Sequence, residues 1–328
     1  MLNALTVTLV LFFALSRVPL VHIERALRSG PDVRVVTHGD TNGIALDARN
    51  RYLFVSGHGV PHLLRFDTAN PSVPPAVSDV PTHGAQSLAL DLLAGTAFFV
   101  SPGYNVLTSI DMETLRLVRS YSLDPVSPGD VLIAVHNPTD TIIVASETDI
   151  RTGIPFFIID RASGKIRYRR SEEIDNLVLH PTKPILYMTF ALRAGGVMAY
   201  DFVANEITAH NPADERLDHL DFDPKANEVL VASPVEGSVF RYDGDTLRKK
   251  GAIRAMFGAR TLAVDRRRNV LLVSSIATGT VAMIDLVDHQ VKKSWYVGPW
   301  LRSIVLAEDR GVAYISSNGA LYELTYAR

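Results

Sequence analysis

Residues 260–275 read RTLAVDRRRNVLLVSS, and residues 302–317 read RSIVLAEDRGVAYISS. Each opens on a short alternating segment, passes through a polar turn and ends in a continuous apolar run. Five more copies precede them: NGIALDARNRYLFVS (42–56), QSLALDLLAGTAFFVS (86–101), VLIAVHNPTDTIIVAS (131–146), DNLVLHPTKPILYMT (175–189) and DHLDFDPKANEVLVAS (218–233). The first large apolar residue of each copy is Ile44, Leu88, Ile133, Leu177, Leu220, Leu262 and Ile304, so the repeat recurs every 42 to 45 residues. A fixed period of that size, with four strand-like segments per unit, is the signature of propeller blades. The expected fold is all-β: a seven-bladed β-propeller with four antiparallel strands per blade.

Working outward from the anchor, each unit parses alike. Asp47, Asp91, His136, His180, Asp223 and Asp265 stand three residues on and open a turn, because such side chains bond the backbone two residues ahead. The apolar runs at 52–55, 96–100, 141–145, 185–188, 228–232, 270–273 and 312–315 predict second strands covered on both faces. The third strand ends at an acid, as in Ile110-Asp111 and Ile284-Asp285. More polar fourth strands, such as 115–122 and 247–253, read as half-solvated outer strands. The middle of the inner strand is small in Ala45, Ala89, Ala134 and Ala263, as crowding near an axis requires; Val178 and Val305 are modest exceptions and the charged Asp221 a real one. The last unit has no fourth strand, and residues 32–37 have strand character ahead of the first. Pairing 32–37 with 320–325 would close the ring and remove two open edges.

Residues 280–317 contain Ile284-Asp285, Val297-Gly298, the run from Ile304 to Leu306, and Tyr314-Ile315. In this order they resemble the YVTN-type β-propeller repeat, with Pro299 displaced from the family's position for proline. The resemblance extends in weaker form over the repeat region. It implies the seven-bladed fold and no single activity, because such propellers host binding, surface, haem and enzyme roles.

Composition narrows the function. At 47% apolar and 21% charged residues the 328-residue chain is globular, not disordered. A net charge of −2 argues against nucleic acid as a partner. The lack of cysteine removes disulfides, thiolate metal sites and cysteine nucleophiles. Residues 1–31 stand apart as a signal peptide or membrane anchor, ahead of a propeller at 32–328. The run 4–15 is apolar except Thr6 and Thr8 and suits an export signal, with Ala14-Leu15-Ser16 offering a cleavage pattern. No Lys or Arg precedes Arg17. If Arg17 is tolerated, the stretch continues through Ile23 and is long enough for a tilted anchor. A buried helix, or a start placed too far upstream, is the other reading. The favoured expectation is export to the periplasm or outside, or membrane attachment.

Two sets of loop residues are candidates for a site, since functional groups sit on loops of a rigid scaffold. The position two before each anchor should ring the channel mouth: Asn42, Gln86, Val131, Asp175, Asp218, Arg260 and Arg302, with Asp130 beside Val131. Arginine holds carboxylate or phosphate in a fork, so Arg260 and Arg302 could receive an anion. Alternatively, Asp218 and Arg260 simply pair across a seam. The second set is His38, His58, His62 and His83, placed by the repeat on entry loops and the strand two–three loop of neighbouring blades. Imidazoles are the commonest metal ligands, and exposed loop histidines are the plainer reading. No GxSxG, P-loop or HExxH motif is present. Two functions therefore stand open. The favoured one is a non-catalytic ligand- or protein-binding propeller without cofactor, taking a protein or small anion on the entry-loop face. The other is a metal- or haem-dependent enzyme, such as a lactonase-like hydrolase or an oxidoreductase.

Overall fold

The continuous apolar runs become second strands buried from both sides. Val229 and Val231 of the strand Glu228–Ser233 face one neighbouring blade, and Leu230 and Ala232 face the other. Successive residues of a strand point to opposite faces, so only an element covered twice can be apolar throughout. The computed structural model describes residues 30–327 except 48, 102–103, 124–130, 147–154, 172–173, 191–195 and 213–215. No helix among the described residues is long and apolar enough to cross a membrane. The export or anchor segment expected at 1–31 lies almost wholly outside the described residues; its last two, Gly30 and Pro31, begin the short 3-10 turn Gly30–Asp32.

The strands form seven sheets of four, each ordered from an inner to an outer strand. The inner strands are Gly43–Leu46, Leu88–Asp91, Val131–His136, Asn176–Leu179, Leu220–Asp223, Ala259–Asp265 and Leu301–Ala307. Each lies against the next, and the seventh lies against the first, so the ring is closed. The chain is a seven-bladed β-propeller.

Its core is divided into wedges between blades. In one, Leu230, Val239 and Ile253 of blade five pack on Leu262, Val264, Leu271 and Val273 of blade six. In another, Ile44, Leu53 and Val55 of blade one pack on Tyr314 and Leu321 of blade seven. A blade alone leaves two apolar faces wet, and stacking in a ring covers both.

Closure uses the amino-terminal strand. Val33–His38 pairs antiparallel with Ala320–Thr325, from Val33 opposite Leu324 to His38 opposite Ala320, with a bulge at Val36. Asp32, just ahead of it, accepts hydrogen bonds from Lys293 Nζ at 2.9 Å and Trp295 Nε1 at 3.1 Å, tying the start of the strand to blade six.

Side chains built into the turns hold the hairpins. Asp111 Oδ1 accepts from the backbone N–H of Glu113 and Thr114 and from the Thr114 hydroxyl; Asp243 repeats the pattern with Asp245 and Thr246. Where the repeat has His180 instead of Asp, its Nδ1 accepts from the N–H of Thr182 and Lys183. The imidazole substitutes for a carboxylate as the turn acceptor.

Two expectations need correction. Outer strands start later than the apolar pattern suggests, at Leu117 and Lys249 rather than Leu115 and Leu247. Leu115 and Leu247 instead occupy left-handed turn positions, with φ of 58° and 52°, and bury their side chains in the seams. Asp221 is less anomalous than its position suggested. Its carboxylate accepts from the N–H of Val264 at 3.0 Å and of Phe222 at 2.7 Å, so it links blades five and six, while burial pushes its pKa up.

Candidate functional site

Where the inner strands begin, their ends converge on a cavity of about 260 Å³ on the axis. All seven blades contribute to its lining, through Asn42, Gln86, Val131, Asn176, His219, Arg260, Thr261, Arg302 and Ser303 among others. Of the expected ring, Asn42, Gln86, Val131, Arg260 and Arg302 are there. Asp130 lies outside the described residues. Asp175 and Asp218 are not in the lining; their chain neighbours Asn176 and His219 take those places.

Strand register at this position differs between blades. In blades six and seven the inner strand starts early, at Ala259 and Leu301, and slips register before Leu262 and Ile304. In blades four and five it is a four-residue strand without that irregularity. Blades one to three lack the slip as well, and their residues at this position, Asn42, Gln86 and Val131, still line the cavity, so register alone does not set which residue faces it.

Asp218 supports the cavity wall from behind. It is buried, and its carboxylate contacts His219 Nδ1 at 2.6 Å and Arg260 Nε at 3.3 Å. Burial opposes its ionisation, but the hydrogen bond and charge of His219, with Arg260, outweigh burial and hold its pKa below the usual carboxylate range. Asp175 has the opposite environment. Burial, then the charge of Asp218, pushes its pKa up to about 6, against the opposing charges of His219, Arg260 and Arg216. Its Oδ2 is buried without a hydrogen-bond partner. Two carboxylates near the same cationic groups are thus separated by which of them receives the hydrogen bonds. The pairing of Asp218 with Arg260 across blades five and six is realised, and Arg260 still lines the cavity.

On the opposite wall, Asn42 Nδ2 donates to Gln86 Oε1 at 2.5 Å, and Gln86 Nε2 meets His58 Nδ1 at 2.7 Å. Arg302 Nε donates to Asn318 Oδ1 at 2.7 Å. Hydroxyls are committed to the scaffold: Ser303 Oγ donates to the carbonyl of Asn42, and Ser87 Oγ accepts from Ile133 N–H.

The structure does not gather the four histidines into a ligand set. His58 faces Gln86, with Asp40 at 3.9 Å. His62 Nδ1 donates to the carbonyl of Ser78 at 2.9 Å, and His83 stacks on Tyr104 with ring centres 4.3 Å apart. His38 is the last residue of the closing strand. Among the described residues no group of three or more His, Cys, Asp or Glu is arranged to hold a metal ion.

Comparison with known proteins gave no matching family model and no matching curated sequence. The cavity itself therefore carries the functional argument.

Proposed function

We propose that this chain is a non-catalytic binding propeller, exported or membrane-anchored, that takes a small anionic ligand at the axial mouth of its entry face. One observation carries the reading: strand ends from every blade meet at a cavity that presents Arg260 and Arg302 together with His219 and Asn176. Guanidinium and amide N–H groups are donors only in these roles, which suits carboxylate or phosphate oxygen. At about 260 Å³ the cavity is smaller than the roughly 300–1,000 Å³ typical of drug-sized ligands, so it fits a small metabolite. The blade motif of residues 280–317 supports placing the repeat with the YVTN type.

Titration calorimetry with inorganic phosphate and with acetate tests the reading. Arg302→Ala is the informative variant, because Arg302 lines the cavity and its Nε donates to the uncharged Asn318. It should weaken binding about tenfold or more, the scale of one lost charge-assisted hydrogen bond. Arg260→Ala should weaken binding and also lower the melting temperature, since it strips a partner from buried Asp218. No binding of either anion, or binding indifferent to Arg302→Ala, would overturn the proposal. Fractionation of expressing cells tests export: full-length chain with Met1 intact in the soluble cytoplasm would refute it.

A further inference from the structure

His219 has a fixed orientation that narrows the ligand. Its Nδ1 lies 2.6 Å from Asp218 Oδ1, and that carboxylate is held ionised by the same contact and by Arg260. An ionised carboxylate only accepts, so Nδ1 carries the proton and donates it. In the neutral ring Nε2 is then a bare acceptor. Among the described residues nothing hydrogen-bonds to Nε2, and His219 lines the cavity. The neighbouring donors are of the opposite kind. Arg260 and Arg302 bring guanidinium N–H groups, and Asn176, whose Oδ1 accepts from Leu177 N–H, has its Nδ2 left to donate. The cavity hydroxyls of Ser87 and Ser303 are already engaged with backbone.

A bare acceptor nitrogen among cationic and amide donors asks for a ligand with an anionic group and a hydrogen-bond donor close to it. An unsubstituted carboxylate would leave Nε2 without a partner on the ligand. We infer that the mouth selects small 2-hydroxycarboxylates, the carboxylate lying on the Arg260, Arg302 and Asn176 donors and the hydroxyl donating to His219 Nε2. This rests on the anion-binding reading and specifies the ligand class.

The test compares lactate, propionate and 2-methoxypropionate by titration calorimetry at pH 8, with inorganic phosphate as the anion control. Propionate lacks the hydroxyl, and the methyl ether keeps the oxygen but lacks the donor. Lactate should bind about tenfold or more tightly than either, the usual scale for leaving a buried polar group unpaired. His219→Leu should remove the preference for lactate over propionate. Equal affinities in the unaltered chain would overturn this inference and leave the anion site standing. If none of the three acids binds and phosphate does not bind, the anion-binding reading falls and takes this inference with it. Should His219→Leu fail to fold, the lactate and methyl ether comparison on the unaltered chain decides alone.

Discussion

Asp175 shows how a single carboxylate can be a liability. Its ordinary pKa is 3.8 and its folded value about 6, raised by burial and then by Asp218. The folded state thus holds the proton more tightly than the unfolded chain. The stability this brings is fully present below pH 3.8 and lost as pH rises through about 6. Above that range an ionised, poorly solvated carboxylate is carried in the fold. Asp175→Asn removes the burden and should stabilise the protein at pH 8 by on the order of 3 kcal/mol, since each pKa unit is worth about 1.4 kcal/mol. At pH 4 the gain should nearly vanish. Thermal melting of both proteins across this range checks it, and a pH-independent difference would mean that burial and Asp218 do not raise the Asp175 pKa as described. Removing the charge should also strengthen anion binding at pH 8, because it subtracts negative potential beside Arg260.

At the scale of elements, the turns show what sequence makes legible. In six of the seven blades the turn between inner and second strands takes a left-handed residue, and the chain supplies Asn50, Gly95, Asp140, Asn227, Asn269 and Gly311, types that tolerate it. These local signals, with the double-sided apolar runs, were enough to read blade number and strand order. The face of each residue at the channel mouth was not legible. No residue type distinguishes blades four and five, where Asn176 and His219 line the cavity, from the blades where the expected position does, so Asp218 was expected where His219 stands. Nor did the sequence reveal that Leu115 and Leu247 would turn left-handed, because their apolar character argued for strand. The equivalent position in blade six is His289, with φ of 58°. Glycine adopts this conformation without strain, so His289→Gly should stabilise by about 0.5–1 kcal/mol and raise the melting temperature by about 1–2 °C. Leu247→Gly relieves the same backbone but empties a fully buried seam and should destabilise by about 2–4 kcal/mol. Opposite signs at one turn position would show that burial, not φ, decides; equal signs would refute the account.

At the scale of the whole molecule, the ring depends on one short strand supplied from the far end of the sequence. Removing Val33–His38 strips the pairing from Ala320–Thr325 and exposes a row of backbone donors and acceptors along its edge. It also deletes Val36 from its contact with the apolar wedge between blades seven and one, and Val33 from that between six and seven. Unpaired edges of this kind recruit other chains. A protein truncated before Gly39 should therefore fold its middle blades, yet form oligomers or aggregates in size-exclusion chromatography. Truncation before Gly30, which keeps the strand and Asp32, should remain monodisperse with a melting temperature close to that of the whole propeller. A peptide spanning 30–39 added in trans should restore part of the monomer, because the missing element is an edge that any chain of this sequence can fill. A monodisperse truncation before Gly39 would mean that blade seven stands on three strands, and that Val33–His38 decorates the ring without closing it.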